Sequence, residues 1–237
     1  LAIGAISWPR GAAAYRPFDG TDADVAEPGE VELEIGPAGY HQEGTSQFLV
    51  APALVANYGF TRDFEAVLEG RQSLQLHPAQ HIWHVQDVAF SIKSLLRRGS
   101  LQGGAGLSVA LEVGMLLPSF ESAWGTHLGS IFSFQLPALT LHLNLANNIW
   151  YSARYEASAS VILEGPDGWR LRPVAEMLVE RDFGEGGFYG GMAESVLVGG
   201  ILRATDALSF DLAGRYGRAD GQNEQEVRAG ITWAFEP

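Results

Sequence analysis

The chain has 237 residues, a formal net charge of −13, one lysine (Lys93) and no cysteine. That balance excludes a nucleic-acid partner, which would need a basic stripe facing the phosphates, and the missing thiols exclude a disulfide framework or a thiolate zinc site. Charged residues make up only 18%, below the roughly 25–35% of a soluble surface, and no apolar run is long enough for a transmembrane helix.

Residues 1–29 hold Pro9, Pro17, Pro28 and the acidic cluster Asp19, Asp22, Asp24 and Glu27, with no periodic run. They read as an irregular N-terminal arm or partial plug, and the start at Leu1 reads as a processed N-terminus. From residue 30 the pattern changes to strict alternation. Val31, Leu33 and Ile35 face away from Glu30, Glu32 and Glu34 in a strand expected to end near Pro37–Tyr40. Gln47–Phe60 follows, then a turn at residues 61–63, then Phe64, Ala66, Leu68 and Leu74 against Glu65, Glu69, Arg71 and Ser73.

After a loop around Pro78–His84, a less regular strand covers Val85–Leu96 and includes Lys93. Val109, Leu111, Val113 and Met115 then oppose Ser108, Ala110 and Glu112, and Leu128, Phe132 and Phe134 oppose His127, Ser133 and Gln135. Leu139, Leu141, Leu143 and Leu145 alternate with Thr140, His142, Asn144 and Ala146, with a turn expected at Asn147–Ser152. Tyr155, Ala157, Ala159, Val161 and Leu163 face away from Arg154, Glu156, Ser158, Ser160 and Glu164. Beyond the Gly165–Gly168 turn, Leu171, Ala175, Met177 and Val179 face away from Arg170, Arg172, Glu176 and Glu180. A weaker strand near Ala193–Arg203 leads to a closing hairpin. There Leu208, Phe210, Leu212 and Tyr216 oppose Ser209, Asp211 and Arg215, and Val227, Ile231, Trp233 and Phe235 oppose Arg228, Thr232 and Ala234.

Twelve such strands predict an all-β fold, a closed antiparallel barrel over residues 30–237. Alternation records contrast between two faces and does not say which one is outside. Three features point to a transmembrane barrel with its apolar face toward lipid. The strands read roughly 9 to 13 residues long, against about 9–11 for a tilted crossing. The polar faces mix charge with Gly, Ala and Ser and nearly lack lysine. Aromatic residues gather at both strand ends, with Trp83, Trp124, Trp150, Tyr151 and Tyr189 at one and Tyr58, Phe60, Trp169, Trp233 and Phe235 at the other. An even strand number brings both termini to one side, the periplasm in the usual orientation of a bacterial outer-membrane barrel. The longer external loops are then expected at 77–84, 118–126, 182–187 and 218–225.

The inward face is expected to carry Glu32, Glu34, Glu65, Glu69, Arg71, Glu112, His142, Asn144, Arg154, Glu156, Arg172, Glu176, Asp211, Arg215 and Arg228, accompanied by Lys93, Glu164, Arg170 and Glu180. Charges enclosed in a barrel must pair or stay hydrated. These residues therefore form either a structural ion-pair network across the wall or the lining of a conducting path with a preference for cations. His142 could meet Ser133 or Ser158, but a group facing the lumen does not reach a lipid substrate, so no enzyme activity is expected and His142 reads as a hydrogen-bonded lumen residue. His77, His81 and His84 lack metal-ligand spacing, and Gly103–Gly106 lacks the helix and Lys-Ser/Thr of a nucleotide loop, so no cofactor is expected.

Arg16-Pro17-Phe18 with Thr21-Asp22, Gly29 to Glu34, Asn57 to Phe64, Leu139 to Asn148 and Gly230 to Phe235 together resemble the outer-membrane transporter family associated with the meta-pathway of phenol degradation. The resemblance implies a channel-like barrel passing small hydrophobic or aromatic compounds. The expected partners are outer-membrane lipids and small solutes. The alternative is a structural barrel that anchors a larger envelope complex through a protein partner.

Overall fold

The computed structural model describes residues 16–76, 83–119, 123–151, 154–184 and 191–237. Among them are twelve strands: β1 Val31–Glu43, β2 Ser46–Thr61, β3 Phe64–Gln75, β4 Trp83–Arg97, β5 Ser108–Leu116, β6 Gly125–Gln135, β7 Thr140–Trp150, β8 Arg154–Glu164, β9 Leu171–Phe183, β10 Met192–Arg203, β11 Leu208–Ala219 and β12 Gln222–Phe235. Each pairs antiparallel with its chain neighbours, and β1 pairs with β12 from Val31 opposite Phe235 to Glu43 opposite Glu224, which closes the barrel. Closure removes both sheet edges, so no row of strand N–H and C=O groups is left open in the wall.

The alternation of the sequence becomes the two faces of this wall. Leu68, Met177 and Leu212 are 51%, 61% and 62% exposed on the outside, while Glu65, Glu176 and Arg215 on the opposite face are 0%, 1% and 6% exposed. A continuous apolar exterior over twelve strands is far larger than the few hundred Å² a soluble monomer leaves exposed. This is a transmembrane β-barrel, with hydrocarbon against the outer face. Trp83, Trp124 and Tyr151 stand exposed at one end of the wall, and Tyr58, Phe60, Phe64, Trp169 and Trp233 at the other, as two interfacial belts. Tyr189 lies outside the described residues.

Three expected boundaries are corrected. β1 does not stop at Pro37–Tyr40; a register shift between Ile35 and Ala38 absorbs Gly36-Pro37, and pairing continues to Glu43. The strand β7 runs through Asn147 to Trp150. The loop expected at 218–225 is a two-residue turn, because Ala219 pairs with Gln222 and the intervening Asp220 and Gly221 have φ of 52° and 80°. Asp-Gly in the left-handed region is the two-residue hairpin chemistry whose twist matches the strands.

Candidate functional site: the lumen and the segment inside it

Neighbouring inward positions form rows that cross the sheet. One row runs Glu65, Lys93, Glu112, Gly129, Ala146, Ser158, Glu180. Another runs Ser108, Ser133, His142, Ile162, Glu176, Leu197, Arg215, Glu226. Polar and apolar side chains share the second row, and the reason is the N-terminal segment that lies against it.

Residues 16–30 run inside the barrel and are held through their backbone. The amides of Asp19 and Gly20 both donate to the Glu176 carboxylate at 3.1 and 2.9 Å. Those of Thr21, Ala23 and Ala26 donate to Asn144 Oδ1 (3.1 Å), Ser133 Oγ (2.8 Å) and Glu65 Oε2 (2.7 Å), and that of Arg16 donates to Glu34 at 3.0 Å. A segment without regular structure leaves its N–H groups to be satisfied by something else; here the wall supplies the acceptors. Two apolar sockets add to the hold. Phe18 sits among Ile162, Val174, Leu197, Ile201 and Ala213, and Ala23 sits against Ala110 and Ile131.

Charges complete the docking. Asp19 pairs with Arg215 at 2.6 Å and Arg228 at 2.7 Å, and Asp22 meets Lys93 at 3.6 Å. Burial inside the barrel pushes the Asp19 carboxyl upward, but the Arg228 and Arg215 guanidiniums outweigh it and hold Asp19 below the usual carboxylate range. Asp24 goes the other way: burial first, then the neighbouring Asp22, raise it, against a hydrogen bond from Gln102.

The expected lumen residues are distributed as follows. Lys93 is 1% exposed and reaches Glu65 at 3.3 Å. Arg215 joins Glu176 (3.1 Å) and Glu226 (3.7 Å), and Arg228 also binds Glu226. Arg16 lies 3.7 Å from Asp211, and Arg172 reaches Glu164 (3.1 Å) and Asp167 (2.7 Å). Near the opposite end Arg154 reaches Asp182 (2.6 Å) and Glu156 (3.5 Å) and lies over the Trp150 ring. Arg71 pairs with Asp87, where one residue of β3 faces two of β4. Glu112 accepts the Ser91 hydroxyl, and Glu32 is buried with Oε1 unpartnered.

His142 Nδ1 lies 2.7 Å from Ser133 Oγ, and its Nε2 lies 3.4 Å from Glu164. Serine, histidine and carboxylate are thus in line, but Ser133 is 0% exposed and its oxygen already accepts the Ala23 amide. The arrangement serves as a mount for the segment.

Beside the segment lies a cavity of about 220 Å³ bordered by Glu65, Glu69, Lys93, Glu112, His127 and Glu180 together with small residues at Gly129 and Ala146. The functional residues that sequence reasoning did not single out are those of the sockets, Ile131, Ile162, Val174, Leu197 and Ile201, and the acceptor Glu226. The available signal was an apolar residue interrupting a polar face.

No family model and no curated protein matches the sequence. Solved structures do match in shape. An outer-membrane channel from Pseudomonas putida F1 aligns with a TM-score of 0.67 at 10% identity, over 92% of this chain and 100% of that one. The fold is that of outer-membrane channel barrels. The NanC porin aligns at 0.60 and 9% identity over 86% of this chain and 98% of its own, and the KdgM porin at 0.52 and 9% over 86% and 99%.

Proposed function

We propose that the chain is a passive outer-membrane channel for small solutes, hydrophobic or aromatic compounds among them, in which residues 1–29 act as a partial plug and the termini face the periplasm. The observation that carries this reading is the polar, charge-lined interior of a closed wall whose exterior is apolar. Ionisable groups inside a barrel carry a desolvation cost that only pairing or water offsets, and a water-filled path supplies the water. The shape it shares with outer-membrane channels supports the same reading, and the short motifs resembling the phenol meta-pathway transporters support the solute class.

Conductance in planar lipid bilayers tests it. The purified chain is expected to give small steps, and deletion of residues 1–29 is expected to enlarge them. A barrel that stays silent in both forms, and gives vesicles no uptake of small aromatic compounds, refutes the channel. The many bonds holding residues 16–30 favour a second reading, a permanently closed barrel that anchors an envelope complex; a tightly co-purifying partner together with silence would establish that one.

A further inference from the structure

We propose that the outer face of β9, β10 and β11, at the rim opposite the termini, is a docking site for one phosphorylated lipid. Arg181 and Arg218 hold its headgroup, and the apolar rows beneath them lie along its chains. The site depends on the barrel standing in a membrane and not on conduction.

At this rim, three outward positions on adjacent strands carry charge: Arg181 on β9, Glu194 on β10 and Arg218 on β11, all exposed. The other outward positions of the described strands there are uncharged, as at Val85, Met115, Ile149, Tyr155 and Gln225, once the Arg71–Asp87 pair at the β4 bulge is set aside. Charge on the lipid side of a barrel wall is costly at mid-depth and tolerated close to the headgroups. Arg181 stands next but one to the end of β9, and Arg218 next to the end of β11, so both reach that level. Twelve strands meet the rim, yet the charges gather on three neighbours.

The register sets their spacing. Arg181 lies opposite Met192, and Glu194 lies opposite both Val179 and Arg218. The two arginines are therefore two strands and two residues apart, about 12 Å at the backbone for ordinary strand spacings, a gap that two long side chains can close onto one headgroup. The Arg181 guanidinium lies 5.5 Å over the Phe183 ring, and that ring packs at 5.3 Å on Tyr155. This aromatic shelf holds the cation at the level of the interfacial belt. Among the described residues no carboxylate lies within ion-pair distance of Arg218, that of Glu194 included. Two guanidiniums against one carboxylate leave the patch net positive.

The class of ligand follows from what the patch joins. A guanidinium fork matches phosphate oxygens two at a time. Beneath it the same three strands turn Met177, Val196 and Tyr216 outward, and in the next row Ala175, Val198 and Gly214. Met177 and Val198 are each 61% exposed, and the small Ala175 and Gly214 on either side of Val198 let a chain lie close to the wall. A free phosphate would leave these rows unused, and a zwitterionic headgroup would bring a cation against two guanidiniums. A phosphate carried on acyl chains uses both parts of the surface.

Native mass spectrometry of the full chain released from neutral maltoside micelles tests the site. The probes are dioctanoyl phosphatidic acid, dioctanoyl phosphatidylcholine as the zwitterionic lipid, and inorganic phosphate as the anion without chains. One phosphatidic acid per barrel is expected to bind at least about tenfold more tightly than either control, as charge-assisted contacts imply. Arg181→Gln and Arg218→Gln are each expected to weaken it by roughly tenfold. Arg62→Gln, at the opposite rim, is expected to keep the parent affinity, and all three variants the heat-modifiable gel migration of a folded barrel. Equal retention of phosphatidylcholine would show generic interfacial contact and overturn the site. Equal binding of inorganic phosphate, a matching loss in Arg62→Gln, or unchanged affinity in either folded arginine variant at this rim would overturn it too. A barrel that conducts nothing but passes these tests refutes the channel and keeps the lipid site.

Discussion

Replacing Phe18 by alanine separates the hold of the N-terminal segment from the stability of the barrel. Phe18 is 9% exposed in a socket formed by inward residues of four strands, β8 to β11, and the state it competes with is a released segment whose side chain is in water. Burying a phenylalanine from water is worth about 1.5–3 kcal/mol, and the emptied socket adds a further loss because five wall residues cannot collapse into it. About 2.8 kcal/mol is thus expected, which is roughly a 100-fold rise in the released population. Cleavage by an endoprotease acting before Asp19, Asp22 and Asp24 reads that population directly when release is fast relative to cutting. The rate is expected to rise by about two orders of magnitude in Phe18→Ala, and to stay at the parent value in Leu212→Ala, whose side chain is 62% exposed on the lipid face. If Phe18→Ala is cut at the parent rate while its gel migration remains that of a folded barrel, the socket does not retain the segment and the argument for a docked plug fails.

A Cβ at Gly59 would stand 2.2 Å from the Ala26 carbonyl oxygen and 2.3 Å from that of Glu27. Gly59→Ala should therefore expel residues 26–27 from the wall and raise channel conductance; unaltered conductance and unaltered proteolysis would count against it. Lys93→Met leaves Glu65 and Asp22 without their shared cation, and breaking a buried pair costs about 3–5 kcal/mol, so the denaturant midpoint of the barrel should drop measurably below that of the parent. Asp19 ionises below the usual range when docked, so its contribution to docking is present above the ordinary carboxylate pKa and is lost only as pH falls through the lowered docked value. Asp19→Asn should accordingly increase proteolysis by a similar factor at pH 7 and pH 5, and an effect confined to pH 7 would contradict the pairing with Arg215 and Arg228.

Most of the wall is legible in the sequence because period-two contrast survives wherever charge faces leucine, as in Leu139–Leu145 or Leu208–Tyr216. It fades where the inner face turns apolar, at Ile131, Ile162, Val174 and Leu197, and that is where the segment sits. The partner of each such residue lies more than a hundred positions away along the chain, so no local pattern announces it. Boundaries were hardest to read where a proline or an Asp-Gly pair resembled a loop: Gly36-Pro37 is absorbed by a bulge, and Asp220-Gly221 is a tight turn. The charged residues could be assigned to a face from alternation alone, but the pairing of Arg215 and Arg228 with Asp19, and of Lys93 with Asp22, depends on where residues 16–30 run.

The segment touches β1 through Glu34, β3 through Glu65, β6 through Ser133, β7 through Asn144, β9 through Glu176 and β12 through Arg228. These strands lie all the way round the ring, so a half-built sheet offers only a fraction of them at once. The complete set of groups that hold the arm therefore exists only in the closed ring, where the first and last strands have met.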